Sequence, residues 1–198
     1  FKAHQRIIFN GNGYGAEWVQ EAQRRGLSNL RDTVDCMPAY IDPKNIRLFA
    51  GHNILSETEM RARYEIHLEN YCKVTAIEAS TLRDMVLRGI LPAVNRYTAD
   101  LTQAILHKRE LVVPCRVEED LLQKLSALTG SLYDTMAAIN EAMDKAPDAE
   151  GGIDAARYYR EEIVRRMEEA RQSIDQLESL TAAKYWPYPT YADILFSV

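Results

Sequence analysis

Long hydrophobic runs are absent from these 198 residues. No apolar stretch approaches the ~18 residues that a membrane-crossing helix needs. Cysteines are few and poorly placed for cross-linking: Cys36, Cys72 and Cys115 lie far apart, with no C-x-x-C pair. An odd number without short spacing fits neither a disulfide framework nor a zinc site. Reduced thiols in a reducing compartment are therefore expected. Basic charge is not concentrated either. Lys and Arg total 24 against 29 Asp and Glu, a formal net charge of −5, and the arginines are scattered among glutamates. That argues against nucleic acid as a partner, which would call for a basic patch or stripe. The N-terminus lacks the basic head, apolar run and small-residue cleavage site of a secretory signal. No repeat of fixed period and no low-complexity tract beyond Gly151-Gly152 is visible. The composition suits a cytoplasmic protein.

What the chain does have is enough apolar material for a core. At 46% hydrophobic and 27% charged residues, it can fill one domain, or one domain with appendages. Ile7-Ile8-Phe9 is β-prone and precedes a glycine-rich turn, which predicts a short strand paired with sequence outside the chain or with Leu111-Val112-Val113. A helix is expected from about Ala16 to Arg25, with Gly26 as its stop. Prolines and glycine then break the pattern, leaving short helices near Arg31–Cys36 and Pro43–Ala50, the second opening on a tolerated first-turn proline. Ser56-Glu57-Thr58-Glu59 reads as a capping box. A long helix should follow to about Arg88, with an apolar stripe through Met60, Tyr64, Leu68, Tyr71, Leu82 and Met85. Gly89 and Pro92 predict a bend before helix resumes to about Lys108. A second long helix is expected over Glu118–Lys145, striped by Leu121, Leu125, Leu128, Leu132, Met136, Ile139 and Met143. Ala146 to Gly152 reads as an exposed turn. A third helix is expected over Asp154–Ala183, striped by Tyr159, Ile163, Met167, Ala170, Ile174 and Leu177. Long amphipathic helices joined by short connectors pack as an antiparallel bundle. The expected fold is thus mainly α, with residues 1–55 a linking region, 56–184 the bundle and 185–198 an aromatic tail.

Candidate sites each carry a plainer structural alternative. Gly11-x-Gly13-x-x-Ala16 matches the dinucleotide fingerprint, but that motif needs a βαβ unit and an acid on the second strand. The segment through Asp32 and Asp35 leads instead into prolines and helices. The alternative is a turn in which glycine adopts positive φ, with Asn10 and Asn12 bonding to the backbone through their side chains. His4, His52, His67 and His107 share no metal spacing, and His67, near the first long stripe, reads as structural rather than phosphoryl-accepting. Glu78 falls on the predicted face of Tyr71, Thr75 and Leu82, where a carboxylate needs a partner. No Ser-His-Asp or Cys-His arrangement can be argued from spacing. Tyr158-Tyr159 and the tail aromatics Tyr185, Trp186, Tyr188, Tyr191 and Phe196 suit either an interface or a tail folded back onto the bundle.

Several segments, taken together in order, resemble one family. The first is Arg6-Ile7-Ile8-Phe9-Asn10-Gly11-Asn12-Gly13-Tyr14, followed by Glu17-Trp18-Val19, Glu21-Ala22 and Arg24-Arg25-Gly26-Leu27. Next come Thr33-Val34-Asp35 through Pro38, Tyr64-Glu65-Ile66 through Asn70-Tyr71, and Ile77-Glu78-Ala79 through Ile90-Leu91-Pro92-Ala93. The last runs from Trp186-Pro187-Tyr188-Pro189-Thr190 to Val198. This series resembles the C-terminal region of type III glutamine synthetases, the long-chain bacterial class of glutamate–ammonia ligases, and covers nearly the whole chain. The resemblance implies a parent enzyme that makes glutamine from glutamate, ammonia and ATP through a γ-glutamyl phosphate, using Mg²⁺ or Mn²⁺. It places the metal ligands and phosphate-binding arginines upstream, between subunits of a ring-type homo-oligomer, expected to be a dodecamer. No catalytic, cofactor-binding or metal-binding residue carries over onto this chain. Opening at Phe1 without an initiator Met fits an excised domain. Its expected role is accessory: folding, oligomeric assembly or access to the active site. The alternative is a free-standing helical interaction module, which the sequence upstream of Phe1 would decide.

Overall fold

The computed structural model describes residues 2–196, and these divide into two compact units, Phe1–Tyr64 and Glu65–Val198. The first unit is built from short helices whose ends are written in the sequence. A 3₁₀ turn, Lys2–Ile7, precedes α1 (Ala16–Arg24), α2 (Thr33–Tyr40) and α3 (Pro43–Gly51). Asp32 caps α2 by accepting from the Asp35 amide at 2.8 Å, and Asp42 caps α3 by accepting from the Lys44 amide at 2.8 Å. Both satisfy amides that a helix start leaves orphaned. Gly26 ends α1 with φ +70°. Its amide bonds to the Gln23 carbonyl at 3.0 Å and that of Leu27 to the Ala22 carbonyl at 2.9 Å, the paired bonds of a Schellman stop. Asn53 ends α3 the same way at φ +53°. Ala22, Val34, Met37, Ile46 and Met60 form the buried apolar set of this unit.

The strand expected at Ile7-Ile8-Phe9 does not form, and no strand exists among the described residues. A strand needs a neighbour for its amides and carbonyls. Here they are satisfied locally: the Ile8 amide bonds to the Gln5 carbonyl at 3.0 Å, and the Arg25 guanidinium donates to the Ile8 carbonyl. Leu111-Val112-Val113 offers no pairing edge because it is the end of a helix.

The second unit is the bundle. α4 (Glu57–Met85) starts in the first unit at the predicted capping box. There Ser56 N–H donates to Glu59 at 2.8 Å and the Glu59 amide donates to Ser56 Oγ at 3.3 Å. A π turn, Val86–Ile90, joins α4 to α5 (Leu91–Glu110). The bend expected at Gly89 and Pro92 is resolved by this wider turn, in which the Leu91 amide reaches back five residues to the Val86 carbonyl. Pro92 has no amide, and its ring would crowd the carbonyl four residues before it, so an extra residue in the turn relieves both problems. α6 (Arg116–Asp144) returns along α5. α7 (Gly152–Tyr158), a second π turn (Tyr159–Val164) and α8 (Arg165–Leu180) then run back along α6. Tyr159 is an electrostatic neighbour of Cys72, and the ring of Tyr185, just past α8, lies 5.1 Å from that of Tyr97. The two registers advance together, so α4–α5 and α7–α8 are parallel and α6 runs opposite to both.

The core is the set of stripes that meet along α6. Leu125, Leu132, Met136 and Ile139 from α6 are buried, as are Tyr159, Ile163, Ala170 and Leu177 from the third rod. On α4 the predicted Met60 and Leu68 are buried, and from there the buried line continues through Cys72, Thr75 and Ala79 rather than through Tyr71, Leu82 and Met85. Tyr71 and Leu82 are only half-buried and Met85 is exposed. The buried positions there are small, and the larger side chains flank them. Burial of about 1.5–3 kcal/mol per large apolar side chain holds the rods together.

Candidate functional site

The glycine-rich segment before α1 is a loop with no nucleotide-binding frame around it. It follows a 3₁₀ turn rather than a strand, and α2 and α3 come next instead of a second strand. Its conformation has other causes. Asn12 Oδ1 accepts from the Tyr14 amide at 3.0 Å, and the Gly15 amide bonds to the Asn12 carbonyl at 3.0 Å. Gly11 and Gly13 do not take the positive φ expected of that turn; among the described glycines that conformation belongs to Gly26 and Gly152. Gly11 is needed for close approach instead. A Cβ there would lie 2.7 Å from the Phe9 ring, and that ring packs on Trp18 at 4.9 Å between centroids. Asn10 is exposed, and Tyr14 at the loop tip is 100% exposed.

The titratable candidates are scattered. Glu78 lies on the solvent side of α4, one position from buried Ala79, so the partner expected for a buried carboxylate is not required. His67 is likewise exposed and does not belong to the core, and His4, His52 and His107 are exposed on separate elements. Among the described residues no three His, Cys, Asp or Glu side chains stand together as a metal site. Tyr158 and Tyr159 turn inward: Tyr158 donates to the Ala142 carbonyl at 2.8 Å, and Tyr159 is buried.

Two constellations stand out in the structure, the first of which escaped the sequence reading. At the start of α6, Cys115 Sγ lies 3.1 Å from Glu119 Oε1, and Arg109 donates to the same carboxylate at 2.7 Å. The hydrogen bonds from Cys115 and Arg109 lower the Glu119 pKa, while the bond to Glu119 raises that of the Cys115 thiol. This trio clamps the α5–α6 connection, and its thiol is held protonated rather than reactive.

The other is the seat of the tail. Tyr185 donates to Asp100, Trp186 is buried, and the Tyr188 hydroxyl donates to the Met85 carbonyl at 3.3 Å. That hydroxyl would be 2.4 Å from a Cβ on Gly89. Leu82, Met85, Ile90, Ile174, Trp186, Tyr188, Pro189 and Ile194 line a groove of about 330 Å³ together with Arg171, Asp175 and Glu178. Beyond the prolines, α9 (Tyr191–Leu195) opens on a capping box in which Thr190 and Asp193 bond reciprocally. Ile194, Leu195 and Phe196 are exposed in the single chain. The Tyr191 side chain, Ser197 and Val198 lie outside the described residues. The tail aromatics pointed to a docked segment, and Gly89 within a long helix marks where Tyr188 approaches.

The fold and its loops define an all-helical domain whose described residues assemble no metal cluster and whose glycine loop lacks a nucleotide-binding frame. The family description "Glutamine synthetase C-terminal domain" matches residues 1–109. The chain is 37% identical over 198 residues to a glutamine synthetase of Butyrivibrio fibrisolvens, covering 99% of this chain and 28% of that protein. It is 30% identical over 203 residues to a type-3 glutamine synthetase of Dictyostelium discoideum, covering 98% and 27%. A glutamine synthetase of Bacteroides fragilis is 29% identical over 201 residues, covering 98% and 28%. The chain belongs to the glutamine synthetase C-terminal domain family. It spans under a third of the length of these relatives.

Proposed function

We propose that this chain is the C-terminal accessory domain of a glutamate–ammonia ligase, a cytoplasmic enzyme that makes glutamine from glutamate, ammonia and ATP through a γ-glutamyl phosphate. In this reading Mg²⁺ or Mn²⁺, ATP and the catalytic side chains belong to the rest of the enzyme. The chain contributes to folding and to assembly of a ring-type homo-oligomer, a dodecamer. The observation that carries the reading is identity of 37% along 99% of the chain with a glutamine synthetase, confined to 28% of that protein. The helical rods support it, because they offer long packing faces and no assembled reaction centre among the described residues.

A chimera tests the proposal. The matching segment of the Butyrivibrio enzyme is replaced by this chain, and glutamate-dependent phosphate release is measured with Mg²⁺ or Mn²⁺. The expected result is ligase activity in the chimera and background from the chain alone. An inactive but well-folded chimera, or turnover by the isolated chain, overturns it.

A further inference from the structure

We propose that the tip of the bundle, where α5 turns into α6, is a two-fold self-association surface for a second copy of this chain. The tip carries large apolar side chains in solvent. Leu111 is 74% exposed, Val112 90% and Val117 75%, with Leu106 and Val113 beside them. Solvent-exposed apolar clusters of this kind mark contact sites on soluble proteins.

The backbone supplies an independent sign. α5 ends in a Schellman motif: the Val113 amide bonds to the Lys108 carbonyl at 2.8 Å and the Val112 amide to the Arg109 carbonyl at 3.0 Å. The two other motifs of this kind put Gly26 and Asn53 at the left-handed position, and this one puts Val112 there with φ +55°. A β-branched residue is strained in that conformation. Glycine would end the helix with less strain, and what valine adds is an apolar side chain held out in solvent. Strain at an exposed residue points to a contact made elsewhere.

Charge selects the partner. Lys108 and Arg109 are already paired with Glu118 and Glu119 across the turn. Glu110 and Arg116 flank the apolar residues on either side, are exposed, and form no hydrogen bond or ion pair among the described residues. An apolar centre bordered by one unpaired acid and one unpaired base is self-complementary. A two-fold axis through the tip sets Glu110 of each copy against Arg116 of the other, the reciprocal pattern of an isologous interface. Five apolar side chains fall far short of the roughly 20–30 residues a side of a stable interface, so the contact is weak alone and acts between copies.

This gives the assembly role proposed above a location without depending on the ligase chemistry, so either test can fail while the other holds. Sedimentation velocity of the chain is recorded from micromolar to millimolar concentration. The sedimentation coefficient is expected to rise towards a dimer. Val112→Gly should flatten the rise while raising the melting temperature, which separates loss of contact from loss of fold. Glu110→Arg and Arg116→Glu should each weaken the dimer severalfold, and the double reversal should restore it. A chain that stays monomeric, associates beyond a dimer, or ignores these substitutions overturns the proposal. So does a double reversal that fails to rescue, which would leave the tip to another partner.

Discussion

Individual side chains decide where the helices of this chain stop, and one of them does so at a cost. Val112 holds a left-handed conformation at 90% exposure, so replacing it removes strain and loses almost no buried surface. Val112→Gly should stabilise the chain by about 1 kcal/mol, the relief at the left-handed position exceeding the extra unfolded-state freedom of glycine. Thermal unfolding checks this at low concentration, where self-association is negligible, and a lower melting temperature would show that the valine packs. Glu21 is a second residue with a measurable signature. Hydrogen bonds from Arg24, then Arg25, lower its pKa from 4.5 to about 2. A carboxylate whose folded pKa is depressed contributes stability above its unfolded pKa and loses it as pH falls through the folded value. Any stability owed to Glu21 should therefore fade between pH 4.5 and about 2, and the stability difference between the chain and Glu21→Gln should shrink over that window. The effect will be small, since exposed pairs contribute little. Carboxyl-carbon NMR of Glu21 gives the midpoint directly, and a midpoint at the ordinary value would show that neither arginine holds it in solution.

At the scale of elements, periodicity in the sequence was a good guide where side chains were large and a poor one where they were small. The α6 stripe through Leu125, Leu132, Met136 and Ile139 is buried as its spacing predicts, because four bulky residues on one helix face leave one sensible way to pack. On α4 the large Met60 and Leu68 are buried as predicted, but the seam then continues through Cys72, Thr75 and Ala79, residues that carry too little apolar weight to stand out beside Tyr71 and Leu82. The slip after Leu68 also misplaced Glu78, which is exposed. The β-prone Ile7-Ile8-Phe9 misled for a different reason: strand propensity needs a partner, and no strand is found among the described residues. For the tail, apolar content was legible but its division was not. Trp186 is buried and Ile194, Leu195 and Phe196 are not, a difference set by Tyr188 docking against the π turn. That contact is testable through Gly89. A methyl group there meets the Tyr188 hydroxyl at 2.4 Å and its ring at 3.0 Å, so either the tyrosine leaves or the π turn deforms. Gly89→Ala should lower stability by about 1–3 kcal/mol, as overpacking does, and should shift the emission of nearby Trp186. An unchanged melting temperature and spectrum would show that the tail does not close on the turn.

For the molecule as a whole, the boundary of the matched family description and the boundary of a foldable piece are different things. The match ends at residue 109, in the last turn of α5, yet the second unit runs from Glu65 to Val198. Leu68, Val86, Val94 and Ile105 lie within the matched part and are buried. In this unit α5 packs against α6, and α6 packs against α8, so removing the later helices uncovers one whole side of the α4–α5 rod. An amphipathic rod without its partners loses the tertiary packing that supplies most helix stability in proteins. The three stripes therefore act as one cooperative core, and the chain cut after Arg109 should not retain it. The expected outcome for that piece is reduced helicity per residue by circular dichroism, no cooperative thermal transition, and aggregation driven by the uncovered stripe. The piece covering 65–196, which keeps all three rods and the Trp186 anchor, should melt cooperatively. If the piece ending at Arg109 unfolds as sharply as the longer one, α4 and α5 carry their own core and the single shared core assigned to the bundle is wrong.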